Sequence, residues 1–374
     1  MITYGRQTIE KEDVDSVIDA LKSDYLTTGP KIGEFESKLA EYVGAKYAVA
    51  VSNGTAALHL AMLALGLKQG DIGITTPLTF AASANCLRYV GAKVQFIDIE
   101  PETGLIKTEE IEKHITPQTK VLIPVHYAGQ SCDMEQIFEI AKKHDVSVVE
   151  DAAHAIGSKY KGKKVGSCSF SDMTTFSFHP VKTITTAEGG AITTNSRELY
   201  EKLLLLRTHG IVQRPDKAPW FYEMQELGFN YRMPDVLAAL GLTQLDRIDK
   251  FIDKRKKIIS LYRQKLSSLS NLKLISEFDY NDSAFHLCPL LIDFESVKIN
   301  KKDLFQKLKR KDISLQVHYI PVHLHPYYRK LGFKEGDYPN AEKFYSQEIS
   351  LPIYPSLTLH DINFVIKTIK ELVI

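Results

Sequence analysis

From about residue 34 to residue 245, short apolar runs alternate with stretches of helical period, and no other feature constrains the fold as strongly. "FESKLAEYV" has a helical pattern, "YAVAVS" reads as a strand, "GTAALHLAMLAL" as a helix, "DIGITTP" as a strand, "ASANCLRYV" as a helix and "KVQFIDI" as a strand. The series goes on through "VLIPVH", the helical "MEQIFEIAKKH" and "VSVVED" to two late strands, "MTTFSF" and "GAITT". Such alternation predicts an α/β architecture, a mostly parallel central sheet with crossover helices. "GLTQLDRIDKFIDKRKKIISLYRQKL" then reads as one long charged amphipathic helix. Beyond it, strands at "FHLCPLLIDF" and "ISLQVHYI" mix with helices at "KKDLFQKLKRK" and "DINFVIKTIKELV". The pattern divides the 374 residues into a large α/β domain over 12–245 and a smaller α+β domain over 246–374.

Composition excludes several classes. With 44% hydrophobic and 25% charged residues the chain is ordinary globular protein, and a formal net charge of +1 supplies no field for nucleic acid. Apolar stretches such as "VLIPV" fall far short of the roughly 18 residues a membrane helix requires. "MITYGRQTIEKED" lacks the basic and apolar regions of a secretory signal. Cys86, Cys132, Cys168 and Cys288 are widely spaced without a C-x-x-C pair, so a reducing cytoplasm is expected rather than a disulfide scaffold or zinc ribbon.

In open α/β sheets ligands bind beyond the carboxyl ends of the strands, and the residues there are chemically loaded. "SNGTAALHL" places Gly54, Thr55 and Ala56 at a helix start whose free N–H groups suit a phosphate. "EDAAHA" places Asp151 at a strand end with His154 three residues on, and "TPLTFAASAN" offers the flat face of Phe80. "SFHPVKTITTAEGG" sets Ser177 and Lys182 after another strand, amid apolar and small flanks unlike a solvated surface. Taken singly, each has an ordinary reading: a capped helix, an N-cap aspartate, a core phenylalanine, a surface lysine. Together, a phosphate cup, a carboxylate, an aromatic face and a desolvated lysine are what pyridoxal 5'-phosphate requires.

These stretches, with "LTTGP", "RTHGI", "GFNYRMPDVLAALGLTQL" and "HYIPVHLHPYY", resemble the DegT/StrS family of nucleotide-sugar aminotransferases over almost the whole chain. The resemblance implies the type I fold of the aspartate aminotransferase class. It implies Lys182 as Schiff-base lysine and proton-transfer base, Asp151 at the pyridine nitrogen, and Gly54, Thr55, Ala56 and Ser177 around the phosphate. Phe80 would stack on the ring, His154 would lie near the phenolic oxygen, and Asn230 would reach the phosphate in a neighbouring copy, which makes the expected unit a homodimer with shared sites. Tyr4, Tyr25, Leu26, Thr27, His318 and Tyr319 match positions that line a nucleotide-sugar pocket, with residues 1–11 packed close to it. "SFHPVK", "ITTAEGG", "HYAG" and "QVHYIP" resemble the branch that serves pseudaminic acid synthesis, moving the amino group of L-glutamate to C4 of a UDP-linked 4-keto-6-deoxy-N-acetylhexosamine. Other readings stay open: a GDP- or dTDP-linked sugar, or a cofactor-binding regulator without catalysis. A dehydratase of the same fold would carry histidine where this chain has Lys182. No metal is expected, since the H-x4-H-x-H spacing of His318, His323 and His325 matches no common zinc pattern.

Overall fold

The computed structural model describes residues 1–267 and 269–373. Its centre is a seven-stranded sheet of β1 (Tyr47–Val51), β2 (Ile72–Thr75), β3 (Lys93–Phe96), β4 (Thr119–Leu122), β5 (Ser147–Asp151), β6 (Met173–Ser177) and β7 (Gly190–Thr194). The spatial order is β1-β7-β6-β5-β4-β2-β3, and every neighbouring pair is parallel except the two that β7 makes. Both faces are covered, which is why the strands read as nearly unbroken apolar runs. In β1, Val49 and Val51 join one buried cluster, while Ala48 and Ala50 turn into another on the opposite face.

Local signals set the helices. Pro30 opens the helix Pro30–Val43, Gly44 closes it in the left-handed region at φ 81°, and Phe35, Leu39, Ala40 and Val43 make its buried stripe. The helix Gly54–Ala64 is apolar all round because it is enclosed, with Ala56 through Met62 buried. Asn53 caps it, its side-chain oxygen accepting the Ala56 N–H at 2.8 Å.

A three-stranded antiparallel sheet in the order Leu272–Leu274, Cys288–Ile292 and Glu348–Leu351 carries a separate core. The helices Ile248–Leu266, Lys301–Arg310 and Leu359–Val373 pack on it through residues such as Tyr262, Leu304 and Val365. Two expectations are corrected. The charged run after residue 241 does not continue as one helix: Asp235–Asp246 and Ile248–Leu266 are separated at Arg247, where φ is −112° and ψ 4°. "ISLQVHYI" forms only a two-residue strand, Ile313–Ser314, which pairs in parallel with Ile2–Thr3. The first residues thereby lie against the C-terminal part, and the Ile353 N–H donates to the carbonyl of Tyr4.

Candidate active site

The carboxyl ends of the parallel strands converge on one region. The β5 register puts Glu150 and Asp151 on opposite faces, because successive strand side chains alternate. Glu150 turns under the sheet to His126, Nε2 to Oε2 2.7 Å, and to the hydroxyls of Ser171 and Thr174. Asp151 faces the site, accepting the Ser83 hydroxyl at 2.6 Å and the Ala153 N–H at 3.1 Å. Ser83 is held in turn by Thr79, 2.7 Å away. "TPLTFAASAN" thus contributes a carboxylate-orienting serine that the sequence reading passed over in favour of Phe80. The ring of Phe80 is 62% exposed at the rim, 6.2 Å from that of Tyr319.

Lys182 follows β6 in a closed turn, its N–H donating to the His179 carbonyl at 2.9 Å. The residue is half-buried by accessible surface. Desolvation of its ammonium lowers its pKa to about 8, and the Asp151 carboxylate opposes that shift. A neutral amine is therefore present as roughly a tenth of the lysine at pH 7 and dominates above about 8, as a nucleophile and proton carrier requires.

The helix beginning at Gly54 meets Ser177 closely. A Cβ on Gly54 would stand 2.9 Å from the Ser177 Cβ, and one on Gly190 would stand 2.5 Å from the Asn53 carbonyl. Only glycine fits in this cradle. The Ala56 N–H is already taken by Asn53, so Gly54 and Thr55 bring the free N–H groups and Ser177 a hydroxyl.

His154 is buried, and its Nε2 lies 2.9 Å from the Tyr319 hydroxyl. Burial, with the charges of Lys182 and His318, pushes its pKa well below the usual histidine range. Tyr319 is pushed the other way by burial, so it keeps its proton and donates to Nε2. The remaining proton of neutral His154 then sits on Nδ1, a buried atom without a partner. An unmet donor of this kind costs about 1–3 kcal/mol. Pyridoxal phosphate fits here, since its phosphate suits the Gly54 cradle and its pyridinium suits Asp151.

His318 and Tyr4 join the same cluster, their rings 5.1 Å apart. The other expected contacts lie elsewhere. Tyr25, Leu26 and Thr27 are exposed beside the start of the helix Asp235–Asp246, where the Val236 N–H donates to the Leu26 carbonyl at 3.4 Å. Asn230 is exposed next to the hairpin Ile211–Gln213 and Tyr222–Met224, on which Trp220 and Met224 stand out at 79% and 66% exposure. The three late histidines diverge: His318 turns to Ser350, His323 pairs through Nε2 with Glu342 at 2.8 Å, and His325 starts the short helix Pro326–Arg329.

Fold and site together define a pyridoxal-phosphate-dependent aminotransferase of nucleotide sugars. Spr1654 of Streptococcus pneumoniae, a sugar aminotransferase by its description, is known in PLP and PMP forms; the PMP form superposes at TM-score 0.93 with 32% identity, covering 100% of this chain and 99% of that one. Helicobacter pylori PseC, described as an aminotransferase involved in the biosynthesis of pseudoaminic acid, superposes at 0.93 with 33% identity and coverage of 100% and 99%. The UDP-4-amino-4,6-dideoxy-N-acetyl-beta-L-altrosamine transaminase of Campylobacter jejuni strain 81-176 is 43% identical over 372 residues, 99% of this chain and 96% of that protein. Residues 7–370 match the DegT/DnrJ/EryC1/StrS aminotransferase family, and the chain belongs to it.

Proposed function

We propose that the protein transfers the amino group of L-glutamate to C4 of a UDP-linked 4-keto-6-deoxy-N-acetylhexosamine, giving a 4-amino-4,6-dideoxy sugar for pseudaminic acid synthesis. The observation that carries the catalytic part is the place of Lys182 in the closed turn after β6, near the Asp151 charge, where desolvation lowers its pKa to about 8. The substrate rests on likeness to the Campylobacter and Helicobacter proteins.

In this reading Gly54, Thr55 and Ser177 hold the phosphate, with Ala56 behind them in the first helical turn. Asp151 holds the pyridine nitrogen, Phe80 covers the ring and His154 lies near the phenolic oxygen. Bound pyridoxal phosphate supplies an electron sink that acidifies the adjoining carbon. Lys182 Nζ takes the proton from Cα of L-glutamate in one half-reaction and delivers a proton to C4 of the sugar in the other. The donor leaves as 2-oxoglutarate and the ketone becomes an amine. Tyr4, His318 and Tyr319 line the sugar side, between domains formed by residues 12–245 and 246–374.

The exposed positions of Tyr25, Leu26, Thr27 and Asn230 suit a homodimer in which one copy completes the other's site. The four cysteines, all buried and unpaired, suit a cytoplasmic location.

The test is the ultraviolet-visible spectrum of the cofactor-loaded protein before and after L-glutamate, beside Lys182→Ala. Wild type should pass from the pyridoxal to the pyridoxamine form and return on adding the UDP-linked keto sugar, while the variant completes neither change. A wild type that takes up no cofactor would overturn the catalytic reading; one that turns over glutamate but ignores this sugar would overturn only the substrate.

A further inference from the structure

A buried hydrogen-bonded chain stands behind the sugar side of the site. Glu348 and Ser350 lie two residues apart on the edge strand Glu348–Leu351, hence on one face, and both are 0% exposed. Glu348 Oε2 accepts the backbone N–H of His318 at 2.9 Å, and its Oε1 accepts the Ser350 hydroxyl at 2.6 Å. The Ser350 oxygen is in turn 2.7 Å from His318 Nδ1.

With Glu348 ionised, proton counting along this chain leaves one arrangement. An ionised carboxylate only accepts, so the single Ser350 proton is committed to Glu348 and the Ser350 oxygen must accept from Nδ1. Burial and the Lys182 charge push His318 down to about 3, so its imidazole is neutral at working pH. With its proton on Nδ1, the ring carries a lone pair at Nε2. Nε2 has no partner among the described residues and is not sealed from solvent. Its ring stands 5.1 Å from that of Tyr4 and 4.9 Å from that of Tyr319.

We propose that Glu348 and Ser350 are positioning residues that hold His318 as its Nδ1–H tautomer, so that Nε2 offers the nucleotide sugar an acceptor and selects for a hydroxyl or amide N–H at that place. The inference rests on the reading above that puts the sugar beside Tyr4, His318 and Tyr319. Burial raises the Glu348 carboxyl to about 7, against the Ser350 O–H, the His318 N–H and the Lys301 charge, so the carboxylate dominates at higher pH.

The experiment reads the tautomer directly. Cofactor-loaded protein labelled with 15N-histidine is examined by NMR at pH 8.5, the His318 ring signals being assigned through His318→Gln. Wild type should carry the proton on Nδ1, and Ser350→Ala should move it toward Nε2. In the same variant KM for the UDP-linked keto sugar should rise about tenfold, equivalent to about 1.4 kcal/mol. The L-glutamate half-reaction should stay within about twofold, since that step does not meet His318. Ser350→Thr, which keeps the hydroxyl, should restore both tautomer and KM. A proton on Nε2 in the wild type overturns the proposal, and so does a Ser350→Ala protein whose tautomer moves while KM stands still. If wild type converts L-glutamate but not this sugar, the substrate reading fails by itself, and the tautomer in Ser350→Ala still decides whether Ser350 positions His318.

Discussion

Lys182 sits between two opposed influences: loss of water lowers its pKa to about 8, and the Asp151 charge pulls it back up. Capture of an aldehyde needs the free amine. The rate at which cofactor-free protein takes up pyridoxal phosphate, followed by absorbance, should therefore rise with pH and level off above about 8. Asp151→Asn removes the opposing charge while keeping the shape, so the inflection should move to lower pH. An inflection that stays put would show that Lys182 does not feel Asp151. The same variant should slow both half-reactions by roughly 10²–10⁴-fold, the range for losing a group that controls protonation at the reacting centre. Stopped-flow absorbance reads each half-reaction separately, and a change under about threefold would remove Asp151 from the chemistry.

At the scale of elements, the break between the helices Asp235–Asp246 and Ile248–Leu266 has a tertiary cause. Arg247 leaves the helical conformation and pairs with Glu10 at 2.7 Å and with Asp13 on the N-terminal helix Lys11–Lys22. Burial alone would raise the Asp13 carboxyl, but the Glu10 N–H, the Thr243 hydroxyl, Arg247 and Gln244 outweigh it and hold it below its ordinary value. Removing one partner of a buried ion pair costs about 3–5 kcal/mol. Since Thr243 and Gln244 remain, Arg247→Met should lose about 3 kcal/mol, seen as a lower urea midpoint at pH 7. A depressed carboxyl stabilises above its unfolded value near ~3.9 and loses that contribution as pH falls through the native value. The gap between wild type and variant should thus be full at neutral pH and close in acid; an equal gap at both would point to lost packing. The same break marks where sequence reading runs out. Periodicity through "GLTQLDRIDKFIDK" is continuous, and only a partner more than 230 residues away makes Arg247 turn. Lys182, Asp151 and the Gly54 helix start were legible because each sits in a strand-end turn whose local residues carry the signal. Glu348, Ser350 and Ser83 were not, because a buried polar side chain in an apolar strand or small-residue helix declares no partner until the chain folds.

At the scale of the whole molecule, an exposed polar side chain stands beside exposed apolar ones. Asn230 is exposed at the base of a hairpin that carries Trp220 and Met224 into solvent, and Leu227 beside it is 79% exposed. Such a patch, next to a polar side chain expected at a phosphate, fits a two-fold partner that buries the hairpin and receives Asn230 in its own site. Sharing makes a sharp prediction. Lys182→Ala should be inactive, and Asn230→Asp, which sets a negative charge against the phosphate, should be severely impaired. When the two variants are unfolded and refolded together, half of the dimers are mixed, and each of these holds one site with both wild-type residues. About a quarter of wild-type activity should return, because the defects fall together in the other site. If Asn230 served the site of its own subunit, each site of a mixed dimer would carry one defect, and no activity beyond the sum of the separate variants would appear.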